Sequence, residues 1–128
     1  MRLLLDTHAL LWWFTDDPKL SEVARESIAN EANLILVSAA SAWEIATKYR
    51  LGKLPIGGEV LRRFQELVAA DGFIHLPMNY LQSIRAGGYS MDHRDPFDRM
   101  LAAQAELEGV PLVTVDPAFE AFPVNVLW

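Results

Sequence analysis

A chain of 128 residues, 52% apolar and 22% charged, is long enough to bury one core and too apolar to stay disordered, so a single domain over residues 1–128 is expected. Its longest apolar run, Ala9 to Phe14, is far short of the roughly 20 residues of a membrane-spanning helix, and Asp6 interrupts the apolar start before it could form a secretory leader; a cytoplasmic protein with no membrane partner is expected. With no cysteine and only three histidines, disulfides and thiolate metal sites are excluded and any metal would be held by oxygen, while seventeen acids against eleven bases (net charge −6) oppose simple electrostatic attraction to nucleic acid.

Arg2 to Asp6 reads as a short buried strand, and Thr7 opens a helix through Ala9, Leu10, Trp12, Trp13 and Phe14 that Thr15-Asp16-Asp17-Pro18 stops. Three bulky residues in succession cannot share one helix face, so one of Trp12, Trp13 and Phe14 is expected to meet solvent or a partner. Ser21 caps a second helix over Glu22 to Glu31. Leu34 to Val37, apolar throughout, marks a strand buried on both faces, and Ser38 caps a helix from Ala39 to Leu51 that ends at Gly52. After a Pro/Gly loop, the spacing of Val60, Leu61, Phe64, Leu67 and Val68 predicts one helix from Glu59 to Ala70. Phe73 to Leu76 is a strand candidate, and Asn79 caps a helix to Ala86 that Gly87-Gly88 terminates. Asp95-Pro96 supplies a cap and a first helical residue for a helix to Glu108, closed by Gly109. Leu112 to Val115 and Val124 to Leu127 are the last strands, separated by a turn at Asp116-Pro117. Strands that alternate with helices and are apolar on both faces predict a three-layer α/β/α fold with a mostly parallel central sheet.

Four acids stand in apolar company. Asp6 follows Leu3-Leu4-Leu5, Glu44 lies in Ala42-Trp43-Glu44-Ile45-Ala46, Asp98 follows Pro96-Phe97, and Asp116 follows Leu112-Val113-Thr114-Val115. Asp6 and Asp116 fall just past the carboxyl ends of strands, where open parallel sheets place their ligand sites. Glu44 and Asp98 lie early in helices that start from the same edge. Four carboxylates gathered there would repel one another until some were protonated or a cation neutralised them, and an oxygen-only set suits Mg²⁺ or Mn²⁺. Each acid also has an ordinary structural explanation. Asp6 can cap a helix, Asp98 can complement a helix dipole, Asp116 can start a turn, and Glu44 can pair with Lys48. His93-Arg94-Asp95 imitates a kinase catalytic loop without the rest of that signature, and Gly52-Lys53 lacks the spacing of a phosphate loop. Lys48, Arg50 and Lys53, with Arg62 and Arg63, form the densest basic stretch.

The segments Leu-Leu-Leu-Asp-Thr-His (residues 3–8), Trp43-Glu44-Ile45, His93-Arg94-Asp95-Pro96-Phe97-Asp98-Arg99-Met100-Leu101-Ala102-Ala103-Gln104-Ala105 and Leu112-Val113-Thr114-Val115-Asp116 together resemble the PIN domain family, in order and over nearly the whole chain. More narrowly, they are similar to the VapC-type toxins of bacterial type II toxin–antitoxin pairs, which are small ribonucleases. The resemblance implies a PIN-like fold, endonucleolytic cleavage of RNA, a homodimer, and inhibition by a cognate antitoxin protein. It also implies a Mg²⁺ or Mn²⁺ site made from Asp6, Glu44, Asp98 and Asp116, in which Asp6 and Asp98 are the principal ligands, Asp116 a further ligand, and Glu44 a ligand or the orienter of the attacking water. Lys48, Arg50, Arg94 and Arg99 are the expected substrate contacts, Thr7 and Thr114 the supporting hydroxyls, and Asp95 either a helix cap or an outer partner of the metal. The exposed part of Trp12 to Phe14 is the expected seat of an antitoxin helix. Two rival readings are a non-catalytic binding module of the same fold and a phosphatase or phosphoacceptor with Asp6 as nucleophile; the latter usually carries a second Asp two residues on, where this chain has His8.

Overall fold

Successive side chains of a strand point to opposite faces, so a leucine triplet must bury apolar surface on both. In the computed structural model, which describes residues 1–128, β1 (Arg2–Leu5) does this: Leu3 and Leu5 enter one cluster and Leu4 the other, all essentially inaccessible. Each such side chain contributes roughly 1.5–3 kcal/mol by leaving water. The chain continues through α1 (Thr7–Phe14), α2 (Glu22–Ala29), β2 (Leu34–Ser38), α3 (Ala39–Arg50), α4 (Gly57–Arg62), α5 (Phe64–Ala70) and β3 (Ile74–Leu76). It then forms α6 (Tyr80–Gly88), α7 (Pro96–Glu108), β4 (Leu112–Val113), a 3₁₀ turn (Pro117–Ala121) and β5 (Val126–Leu127).

The five strands form one sheet in the order β3-β2-β1-β4-β5, parallel at every pairing, with Leu4 opposite Leu36 on one side and Leu112 on the other. One face carries Leu3, Leu5, Ile35, Val37 and Val113 against Leu10 of α1, Ile28 of α2 and Val68 of α5. The opposite face carries Leu4, Leu36, Leu76 and Leu112 against Leu101 and Ala105 of α7, with Phe119 and Phe122. Three layers result, as the apolar strands predict. No helix is long and apolar enough to cross a membrane.

From β1 the chain moves outward to β2 and β3, then returns to place β4 on the other side of β1. The order therefore reverses between β1 and β4, and the crevice beyond their carboxyl ends is where such sheets place a ligand.

Apart from end shifts of one or two residues, as in α2, β3 and β5, four elements differ from the sequence expectation. The helix predicted over Glu59 to Ala70 is two, because the chain turns at Arg63 (φ −119°, ψ 18°); the turn lets Val60 pack with Leu11 and Ile45 while Val68 joins the sheet cluster. The glycines at 87 and 88 do not stop α6, which continues to Gly88 while Arg99 binds the carbonyls of Ala86 and Tyr89. β4 ends at Val113, although Thr114 N still donates to Leu127 O of β5 while its side chain bonds Asp6. Asp116 opens a 3₁₀ turn by accepting a hydrogen bond from Ala118 N.

Candidate active site

Asp6 ends β1 and caps α1: Oδ1 accepts a hydrogen bond from Ala9 N at 2.7 Å and Oδ2 accepts one from the Thr114 hydroxyl. Thr114 Oγ1 in turn accepts from Asp116 N at 3.1 Å, so one hydroxyl ties the Asp6 side chain at the end of β1 to the backbone turn beyond β4. Asp6 is only 6% exposed. That burial raises its pKa above the ordinary carboxylate value; the bonds from Thr114 and Ala9 oppose the rise, and the charge of Glu44 adds to it.

Glu44, also buried, arrives from the second turn of α3. The Thr7 hydroxyl donates to its Oε1 at 2.5 Å and lies 3.0 Å from the Ser41 hydroxyl, while its Oε2 pairs with the Lys48 ammonium one turn on. Burial alone would lower the pKa of Lys48, yet the Glu44 partner, with Asp95 and Asp98 nearby, leaves it raised.

Asp98 lies in the first turn of α7. Its Oδ2 is 3.0 Å from Nε2 of His93, whose ring packs edge-on against Phe122. Burial pushes the Asp98 carboxyl up to about 6; the contact with His93 opposes that rise, and the charges of Asp95, Glu44 and Asp116 add to it. Asp116 is exposed. With Asp6, His8, Trp12, Val115 and Pro117 it lines a cavity of about 290 Å³ over the reversal point. Of the four acids singled out in the sequence, Glu44 thus bears on Asp6, and Glu44 and Asp116 bear on Asp98.

They do not form a ready ion cage: no three His, Asp or Glu side chains are grouped closely enough to hold an ion as they stand. Each carboxylate is instead engaged by a protein partner, namely Thr114 and Ala9 N, Thr7 and Lys48, His93, or Ala118 N. The donor chemistry nevertheless fits a hard divalent cation, because it is all oxygen and because burial, with a smaller addition from neighbouring carboxylates, disfavours the bare charges of Asp6 and Asp98.

The other expected residues divide. Thr7 and Thr114 are buried within the cluster, and Asp95 caps α7, with Oδ1 accepting from Phe97 N and Asp98 N. Lys48 and Arg94 meet in one cavity, whereas Arg50 is exposed at the end of α3. Arg99, expected as a substrate contact, is instead engaged within the fold: its guanidinium donates to the carbonyls of Ala86, Tyr89, Met91 and His93 at 2.6–3.2 Å and holds the loop before α7. Of the three aromatics in α1, Trp13 and Phe14 pack on Phe73, and Trp12 lies beside His8 at the cavity.

Three contributors were not anticipated. Ser41 and His93 touch Thr7 and Asp98, and fully buried Gln104 accepts from the Ser38 hydroxyl at 2.5 Å while donating to Gln82 Oε1 and Pro77 O. Ser38 caps α3, so Gln104 ties the helix bearing Asp98 to the start of the helix bearing Glu44. Its only trace in the sequence is a lone amide in Ala102-Ala103-Gln104-Ala105.

A parallel α/β sheet with buried carboxylates at its point of reversal defines a class of domain built to work on a ligand at that edge. The model of the PIN domain matches residues 3–125, and the chain belongs to that family. Ribonuclease VapC16 of Mycobacterium tuberculosis is 64% identical over 31 residues, a stretch covering 24% of this chain and 22% of that protein. Among solved structures, VapBC2 from Rickettsia felis bound to a DNA fragment from their promoter aligns with a TM-score of 0.71 at 16% identity, covering 98% of this chain and 97% of that one. VapBC-1 from nontypeable Haemophilus influenzae aligns with a TM-score of 0.64 at 15% identity over 98% and 96% of the two chains. FitAcB from Neisseria gonorrhoeae gives 0.61 at 20% identity over 97% and 95%. At these identities the structural likenesses establish the fold.

Proposed function

We propose that this PIN domain is a Mg²⁺- or Mn²⁺-dependent endoribonuclease, the toxin of a type II toxin–antitoxin pair, working in the cytoplasm as a single domain. The observation that carries this reading is the placement of the acids where the strand order reverses: Asp6 at the end of β1 is joined through Thr114 to the backbone of Asp116 beyond β4, Glu44 is tied to Thr7 beside Asp6, and the charges of Glu44 and Asp116 reach Asp98. Asp6 and Asp98 would be the principal ligands of the metal, with Asp116 and Glu44 completing the set. When bound, the metal would supply an activated water and neutralise charge on the phosphoryl oxygens.

The protein's own part is positioning. Thr114 and Ala9 N fix the Asp6 carboxylate, Thr7 and Lys48 fix Glu44, and His93 holds Asp98. Lys48 and Arg94 set positive charge beside the acids, where a net charge of −6 would otherwise repel RNA. The relative named a ribonuclease supports the substrate class, and the VapBC structures support a partner antitoxin. A homodimer is the expected assembly; α6 offers exposed Tyr80, Leu81 and Ile84, and sedimentation equilibrium measures the mass.

The test is cleavage of a single-stranded RNA with and without Mn²⁺. Cleavage should require the ion and fall at least 100-fold in Asp6→Asn and Asp98→Asn. Equal cleavage by all three proteins, or none by the wild type in either ion, would reject the nuclease. A second reading, a binding module, draws on the structural duties of the same acids and on the lack of a ready ion cage. It predicts RNA or protein binding without turnover.

A further inference from the structure

Charge on this protein is distributed unevenly in a way the overall value of −6 hides. Of the eleven lysines and arginines, Arg2, Arg25, Lys48, Arg62, Arg63 and Arg85 are paired with carboxylates, and Arg99 is occupied by backbone carbonyls. Lys19 lies over the Trp12 ring. Arg50, Lys53 and Arg94 remain without a carboxylate or aromatic partner. Lys53 and Arg94 come from segments far apart in sequence, the loop after α3 and the loop before α7, yet they line one cavity of about 330 Å³ with Thr47, Lys48, Asp95 and Phe97.

The cavity is joined to the acids by side chains already described. Lys48 on its wall holds Glu44, Glu44 accepts from Thr7, and Thr7 adjoins Asp6. Asp95, the one acid on the wall, uses Oδ1 to cap α7, and its charge faces Lys48. Neither Lys53 nor Arg94 is paired with Asp95 or any other carboxylate, so the wall carries two unneutralised cations, a setting that attracts an anion.

We infer that Lys53 and Arg94 grip a backbone phosphate of the RNA strand beside the bond cut at the carboxylates. This inference rests on the ribonuclease function proposed above. Arg94 supplies a planar, two-pronged donor to the phosphate oxygens, and Lys53 supplies a point charge. Both are exposed, so the strand reaches them without rearrangement of the core.

The test compares the wild type with the double variant Lys53→Ala/Arg94→Ala. Fluorescence anisotropy of an end-labelled single-stranded RNA, in EDTA so that it is not cut, gives affinity across a salt series; cleavage in Mn²⁺ gives KM and kcat. Affinity should fall at least tenfold. The slope of log affinity against log salt should flatten by about 0.7 for one lost phosphate contact on a single strand, and KM should rise with kcat within twofold of wild type. The pair Arg62→Ala/Arg63→Ala makes the same charge change at the junction of α4 and α5 and should retain wild-type affinity and slope. If wild-type RNA is cut and bound but Lys53→Ala/Arg94→Ala matches it, the phosphate site is wrong and the nuclease stands. Equal loss in both double variants would also overturn the site, since overall charge would explain it. If the wild type neither binds nor cuts RNA, both readings fall.

Discussion

Deprotonating Asp98 should cost the folded protein stability, and the sign and size follow from its surroundings. Its carboxyl titrates at about 6, against an ordinary 3.8, because of burial and the charges of Asp95, Glu44 and Asp116. An acid whose pKa is raised on folding binds its proton more tightly in the folded state. Its contribution is therefore favourable at pH values below the ordinary value and is lost as pH rises from about 4 to about 6. At about 1.4 kcal/mol per unit the full shift is worth about 3 kcal/mol; the side chain keeps 15% of its surface in water, and solvent screening reduces the expected loss to about 1–2 kcal/mol. Asp98→Asn removes the charge and keeps an acceptor for His93. Urea denaturation in EDTA between pH 4 and 8 should show the variant gaining about 1–2 kcal/mol over wild type across that window, with no difference below it. Mn²⁺ should close the gap above pH 6 by stabilising the wild type. Parallel stability curves for the two proteins would refute the electrostatic account of the site.

Three further outcomes are expected. Gln104→Leu strips partners from the Ser38 hydroxyl and Pro77 O and leaves Gln82 Oε1 only the Asn79 N bond; at about 1–3 kcal/mol per buried group left unmade, chemical denaturation should show a loss of about 2–4 kcal/mol. Arg99→Met frees the carbonyl of Ala86 in α6 and those of Tyr89, Met91 and His93 in the loop before α7; amide hydrogen exchange over residues 86–95 should accelerate, with about 2–3 kcal/mol lost, as charge-assisted bonds of this kind are worth about 1.5–3 kcal/mol each and solvent replaces part of them. Leu4→Ala, in the middle of the sheet, should cost about 2–5 kcal/mol in the same denaturation assay.

Residue pattern exposes the frame of this fold more readily than its joints. Leu3-Leu4-Leu5 and Leu34 to Val37 announce strands buried on both faces, and Asp95-Pro96 announces a helix start, because each signal acts within a few residues. Arg63 carries no breaker. The turn there arises because Val60 and Val68 serve different clusters, a demand made by tertiary packing alone. The site divides similarly. A carboxylate directly after an apolar strand is conspicuous, but nothing near Arg99 shows that its guanidinium will close on four carbonyls, and nothing near Gln104 shows that it will reach β2 and α6. The partners of Gln104 lie across the fold, and those of Arg99, though only 6 to 13 residues away, are backbone carbonyls that leave no side-chain signature.

The same acids carry both the architecture and the proposed chemistry, which decides how they must be probed. Asp6 caps α1, Asp95 caps α7 and Asp116 opens the 3₁₀ turn. Alanine at any of them would remove a cap worth about 0.5–2 kcal/mol along with the charge, so lost activity would not distinguish a damaged fold from a missing ligand. Asparagine separates the two, since it caps a helix as well as aspartate does and carries no charge. In Asp6→Asn the amide oxygen can still accept from Ala9 N, while the repulsion with Glu44 and the burial of a charge disappear. Its melting temperature in EDTA should therefore hold or rise while Mn²⁺-dependent cleavage is lost. A melting temperature that falls by several degrees would show that the charge itself holds the structure, and the case for Asp6 as a metal ligand would fail at its root.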